Sequence, residues 1–176
     1  MKPLLLAAAT LVSACAHGPS TTDDRKVAHA VLEARSGSSV TGRAEWAENG
    51  NLVTLTLMVS NASPGKHAVH IHVTPDCSDP EAKSAGDHWN PTKEDHGQLD
   101  IAPFHLGDIG NLDVGPDGSG TLKLSTPRWS VDSGKDSDVL RHSIVLHASV
   151  DDLKSQPAGN AGSRIACGVI TLKPRL

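Results

Sequence analysis

Three observations in the 176-residue sequence predict an all-β fold, an antiparallel sandwich or barrel. Two stretches alternate apolar and polar residues on either side of glycine-containing turn signals. Further short runs are rich in β-branched residues. No helical period is sustained anywhere. Hydrophobic residues make up 38% of the chain, enough for the core of one domain, while the aromatic share is only 2%, with one Phe and no Tyr. The core therefore rests on Val, Leu, Ile and Ala. A net charge of -4 without any Lys/Arg run leaves no basic face to track phosphates, so nucleic acid is excluded as a partner.

Residues 1–14 read as a signal peptide. Lys2 supplies a positive start, and the apolar run from Leu4 to Leu11 is far too short for the roughly 20 residues of a membrane-spanning helix. "LVSAC" then leads small side chains into Cys15 and resembles the lipobox of bacterial lipoproteins, which implies that Cys15 is lipidated. Several acyl chains on one residue make stable anchoring feasible, because each buried CH2 contributes about 0.8 kcal/mol. Residues 15–38 are expected to be a flexible tether or leading segment, and residues 39–176 the folded domain. The expected location is the bacterial periplasm, with the lipid as the sole membrane contact and the outer membrane as its anchor. Cys77 and Cys167 remain as an even pair in an exported, oxidising setting and are expected to form a disulfide.

The elements follow in order. "VTGRAEWAENGNLVTLTLMVSN" (40–61) alternates on both sides of Asn49-Gly50 and predicts a β-hairpin. "GKHAVHIHVTPDC" (65–77) is strand-like but places His67, His70 and His72 within six positions. Residues 74–103 break the rhythm with Pro, Gly, Asp and Lys, and so long a loop in a compact domain is usually functional or disordered. "NLDVGPDGSGTLKLS" (111–125) predicts a second hairpin around Pro116-Asp117-Gly118. "HSIVLHASV" and "RIACGVITL" close the list of short strands.

His70 and His72, two apart on a strand, share one face with α-carbons about 6.6 Å apart. Both rings can then converge on one ion, and a neutral imidazole is the commonest metal ligand. On spacing alone, metal ligands and hydrogen-bonded core histidines both remain open.

Six blocks in fixed order, "HAVHIHVTPDC", "SAGDHWNP", "EDHGQ", "HLGDIGN", "VLHASVDDL" and "GNAGSRIACGVI", together resemble the copper/zinc superoxide dismutases, particularly their exported bacterial members. The resemblance spans about Ser39 to Leu172. It implies an eight-strand Greek-key β-sandwich or flattened barrel with long metal-binding loops, an architecture already counted among the β-sandwiches for this family. The implied copper ligands are His70, His72, His88 and His147, and the implied zinc ligands His88, His96, His105 and Asp108, with His88 shared. Asp151 is implied to hydrogen-bond His70 and His96, and His67 to support the copper site from behind without binding metal. Arg164 is implied to attract and position superoxide beside copper, with His88 also handling a proton.

The implied reaction is dismutation of superoxide to oxygen and hydrogen peroxide by a redox-cycling copper beside a structural zinc. A copper/zinc-buffering protein and a ligand-depleted structural module are the competing classes. A buffer has no use for Arg164, and a degenerate module should have lost a ligand. The chain departs from the family pattern in its short loop "LKSQPA" between Asp152 and Gly159, in Val69, in Thr74-Pro75 and in "HGQL". These changes bear on loop packing and metal retention. His17, His29 and His142 match no ligand position and are expected at the surface. Trp46, Trp89 and Trp129 are expected to pack, with Trp89 shielding the bridging histidine. No interface stripe is evident, so a homodimer is left open.

Overall fold

The computed structural model describes residues 25–174. The signal peptide, Cys15 and His17 lie outside the described residues. Nine antiparallel strands run in chain order as β1 (Val27–Ala34), β2 (Thr41–Asn49), β3 (Leu52–Ser60), β4 (Gly65–His72), β5 (Asp108–Val114), β6 (Gly120–Thr126), β7 (Ser143–His147), β8 (Arg164–Val169) and the two-residue β9 (Thr171–Leu172). Among the described residues the only helical turn is a 3-10 segment at Lys83–Ala85. Their order in the sheet is β2-β3-β6-β5-β4-β7-β8-β1-β9, and β1 also pairs with β2, which closes the sheet on itself. The chain leaves β3 to form β4 across the barrel, returns β6 beside β3, then lays β7 beside β4; these are Greek-key connections.

The first hairpin forms as predicted. Asn49 pairs with Leu52 around a two-residue loop, with Gly50 at φ 62°, where glycine carries no steric penalty. Alternation then decides the faces: Val53, Leu55, Leu57 and Val59 of β3 are buried, as are Ala44 and Trp46 of β2. They join Leu32, Ile71, Leu112, Ile144, Leu146 and Ile170 in one core. Each fully buried Leu or Ile contributes about 1.5–3 kcal/mol. Trp46, Trp89 and Trp129 are packed there too, as expected.

Two features correct the sequence reading. Strand β1 lies ahead of residue 39, inside the segment expected to be a flexible tether or leading segment, and its Ala28, Ala30 and Leu32 are core residues. The alternation of "VAHAVLE" is real but rests on alanines, which carry little strand signal. The second hairpin has its turn, with Gly115 N–H donating to Ser119 O, yet its strands share only the pair Val114 and Gly120. Strand β5 pairs along its length with β4 and β6 with β3, because each finds a longer ladder there.

Strands β4 and β7 break the alternation rule usefully. From His67 to His72 and from Ser143 to His147 every residue is buried, since loops cover the outer face that is normally wet. The long loop is one cover. It is tied to β8 by the Cys77–Cys167 disulfide, with an S–S distance of 1.99 Å and a sequence separation of 90. It is braced by Asp79, whose carboxylate accepts from Glu81 and Lys83 N–H.

Candidate metal centre

The backbone brings the histidines together before any side chain is considered. Residues 87–89 lace onto the end of β4: Val73 N–H donates to Asp87 O and Trp89 N–H to Ile71 O, both at 2.9 Å, so His88 lies opposite His72. Gly107 completes this strip, accepting from Ile71 N–H and donating to Trp89 O, at an approach so close that a Cβ would overlap Ile71 O. Register irregularities fall between Val69 and His70 on β4 and between Leu146 and His147 on β7. Bulges of this kind re-aim side chains beside functional sites, and both ligand-bearing positions are thereby turned toward one point.

One ring nitrogen of each histidine is committed to an acceptor. His72 Nδ1 donates to Gly86 O (2.8 Å), His147 Nδ1 to Gly162 O (3.3 Å), His70 Nε2 to Asp151 Oδ2 (2.8 Å) and His105 Nε2 to Glu94 O (3.1 Å). The other nitrogen of each then carries a lone pair aimed into the cluster. His72 Nε2 and His147 Nε2 face each other at 3.4 Å, and His70 Nδ1 and His88 Nε2 are buried without a hydrogen-bond partner. Facing lone pairs and orphaned buried acceptors are unfavourable unless a cation sits among them. The ligand atoms of His70, His72, His88 and His147 all lie within 4.8 Å of one another, and all four residues are buried.

The second cluster centres on Asp108. Its Oδ2 is fixed by the N–H groups of His105 (2.8 Å) and Gly97 (3.0 Å). Its Oδ1 meets Nδ1 of His88, His96 and His105 at 2.9, 3.0 and 3.2 Å. His105 and Asp108 sit on one local turn in "HLGD", with Asp108 N–H donating to His105 O. His70 also lies within 4.8 Å of His88, His96 and Asp108. The Nδ1 contacts around Asp108 Oδ1 nevertheless favour His105 as the fourth member, since His70 Nδ1 already serves the first cluster. Three imidazoles and one carboxylate suit a closed tetrahedral zinc site, and four imidazoles suit copper. The donor sets fit both ions, and His88 belongs to each.

Electrostatics sort the rings. Burial pushes the pKa of His70 down to about 4 and holds those of His72 and His147 well below the ordinary histidine value. Burial also lowers His88. These rings are neutral at pH 7, as ligation requires. His96 goes the other way: burial opposes its charge, but the Asp108 and Asp151 carboxylates at 3.0 and 2.9 Å outweigh that and raise it to about 9. The same burial would raise both carboxyls, yet the histidine hydrogen bonds hold Asp108 and Asp151 far below the usual carboxylate range.

Asp151 spans the two clusters, accepting from His70 Nε2 and from His96 Nε2 (2.9 Å). Asn111 clamps its backbone, donating to Asp151 O and accepting from Asp151 N–H at 2.9 and 2.8 Å. No sequence signal marked Asn111, nor the carbonyls of Gly86 and Gly162 that fix ring tautomers. His67 is buried and makes its Nδ1 contact with His147 O (2.8 Å), behind the first cluster and outside both ligand sets. His29 and His142 are half-buried rather than open surface residues. His142 packs against Trp89 in a tilted arrangement with ring centroids 4.5 Å apart, so Trp89 is covered in turn.

An open cavity of about 950 Å³ is lined by His72, His88, His147 and Arg164 among others. Arg164 Nη1 donates to Ala82 O (2.7 Å), inside the loop that the disulfide ties down. A guanidinium is thus fixed on the cavity that reaches the histidines.

Comparison with known proteins agrees with this geometry. Residues 39–170 match the family profile described as copper/zinc superoxide dismutase (SODC). The chain is 36% identical over 146 residues to superoxide dismutase [Cu-Zn] 1 of Aquifex aeolicus, covering 81% of this chain and 86% of that one. It is 35% identical over 150 residues to the extracellular superoxide dismutase [Cu-Zn] of Onchocerca volvulus, covering 80% and 73%. Its fold is similar to the crystal structure of the clock protein EA4, with a TM-score of 0.76 at 28% identity over 85% of this chain and 96% of that one. The closed antiparallel barrel, the two histidine clusters and the family match over most of the domain establish that this chain belongs to the copper/zinc superoxide dismutase family.

Proposed function

We propose that His70, His72, His88 and His147 hold the copper, and His88, His96, His105 and Asp108 the zinc, of a superoxide-dismutating enzyme. The observation that carries this assignment is the shared His88, with Nδ1 in the Asp108 cluster and Nε2 unpartnered on the other side. When bound, copper supplies a one-electron couple and zinc a closed, structural charge.

The chain's own residues account for the remaining requirements. Two superoxide anions and two protons give oxygen and hydrogen peroxide, so an anion must be received twice and protons delivered. Arg164 on the cavity wall supplies a permanent positive charge to a small anion; burial lowers its pKa, but a guanidinium stays ionised at any working pH. Field steering raises association by about 10- to 1000-fold, a range that already includes superoxide dismutases. His88 lines the cavity and its Nε2 is buried without a partner, so this ring is the one assigned to hold and pass a proton. Asp151 accepts from Nε2 of both His70 and His96, which turns Nδ1 of each ring toward the metal.

The decisive experiment loads the purified protein with copper and zinc and follows superoxide removal. A loaded protein without activity would instead favour metal storage, a reading that leaves Arg164 without a purpose.

We also propose export with a lipid on Cys15 and residence in the periplasm. The Cys77–Cys167 disulfide and the likeness to extracellular enzymes support this reading. Mass spectrometry of the mature N-terminus tests it: an acylated Cys15 is expected, and an unmodified residue there would overturn it.

A further inference from the structure

The loop after β7 is short in sequence but closely tied to the metal centre. It folds on itself around Asp152, whose carboxylate accepts from Lys154 N–H, Ser155 N–H, the Ser155 hydroxyl and the Asn160 amide. Gly159 N–H donates to Ser155 O and Asp152 N–H to Gly159 O, closing the loop. This internal bonding fixes the position of Gln156, which projects toward the opposite loop.

His96 belongs to no strand, and its main chain finds its partners in that side chain. Gln156 Oε1 accepts from His96 N–H at 2.8 Å, and Gln156 Nε2 donates to His96 O at 2.9 Å and to Lys154 O at 3.2 Å. Both ends of the amide are therefore engaged, so Gln156 is not free to meet an anion although it lies on the cavity wall. Gly159, at φ 64°, packs so tightly that a Cβ there would overlap the Asp151 carboxylate and lie 2.7 Å from His96 Nε2. One loop thus grips His96 by ring nitrogen and backbone. His70, by contrast, is held by a strand flanked on both sides by β5 and β7.

We propose that Gln156 is a positioning residue for zinc, fixing the ligand His96 through its backbone amide and carbonyl so that the long loop presents Nδ1 to the ion. This rests on reading His96 as a zinc ligand. The loop that is reduced to "LKSQPA" thereby retains a direct role in holding metal. Loss of a partner that orients a ligand typically weakens metal affinity 10- to 100-fold, and here only the zinc side should respond.

The test measures zinc and copper affinity of the full-length protein, stripped and reloaded, by competition with a chromogenic chelator. It also records the visible spectrum of cobalt(II) placed in the zinc site. Gln156→Ala removes both hydrogen bonds; the nearly isosteric Gln156→Glu keeps the acceptor for His96 N–H but turns an oxygen toward two carbonyls. Both are expected to weaken zinc 10- to 100-fold, to alter the cobalt spectrum, and to leave copper affinity within twofold. If the alanine variant does not fold, the glutamate variant decides. Zinc affinity within twofold of wild type in a folded variant overturns the proposal, as does an equal loss of copper and zinc. His96→Ala separates the two levels. Wild-type zinc affinity in that variant would refute the ligand assignment itself, whereas its loss together with unaffected Gln156 variants would refute only the clamp.

Discussion

Zinc binding to the metal-free protein is expected to expel one proton, and that proton comes from His96. Without metal the ring lies between Asp108 and Asp151, 3.0 and 2.9 Å away, and its pKa is raised to about 9. At pH 7.5 it is therefore almost fully protonated, and at pH 10 mostly neutral. Zinc needs the Nδ1 lone pair, so the proton must leave. Titration calorimetry at pH 7.5 in buffers of different ionisation heat should return about one proton per zinc, against a small fraction of one at pH 10. Between pH 7 and 8.5 zinc affinity should rise about tenfold per unit and then level off above pH 9. The same shift is a stability statement. A raised pKa stabilises the folded metal-free protein fully below pH 6.5, by about 3 kcal/mol, and that contribution disappears as pH rises through 9. Release of under about 0.3 proton at pH 7.5, or equal release at both pH values, would refute the reasoning.

Three other outcomes are expected. Arg164→Ala should lower kcat/KM by tenfold or more and flatten its ionic-strength dependence while copper and zinc contents stay unchanged by elemental analysis; an unaltered salt dependence would remove Arg164 from anion capture. Cys77→Ser should lower stability by about 2–5 kcal/mol in denaturant unfolding, because the bridge closes a loop with a sequence separation of 90; a loss under about 1 kcal/mol would contradict this. The metal-free protein should also weaken in acid. The pKa of His70 is depressed to about 4, so its contribution is present above 6.5 and is lost as pH falls toward 4, about 3 kcal/mol from that ring alone. His72 and His147 add in the same direction, and flat urea midpoints from pH 7 to 4.5 would oppose that account.

Spacing by itself brought together only two pairs of the candidate ligands, and the full set came from the resemblance to the family. His70 and His72 share a face by strand period, and "HLGD" carries His105 and Asp108 through one turn. The supporting shell was far less legible. Gly86, Gly162 and Glu94 orient their histidines through carbonyls, which every residue possesses, so their identities carry no signal. Asn111 and Gln156 act across 40 and 60 residues of sequence, and nothing local distinguishes them from solvated amides. Strand β1 escaped notice for a different reason. Its inward positions include Ala28 and Ala30, whose burial depends on the neighbouring strands rather than on their own propensity. The splayed second hairpin likewise followed from competition for partners, which a turn signal does not encode.

Anomalous diffraction from the loaded protein at the copper and zinc edges tests the two-site assignment most directly. Copper should sit among His70, His72, His88 and His147, and zinc among His88, His96, His105 and Asp108, with the His88 ring between them. A single occupied position, or zinc ligated by His70 in place of His105, would contradict the assignment.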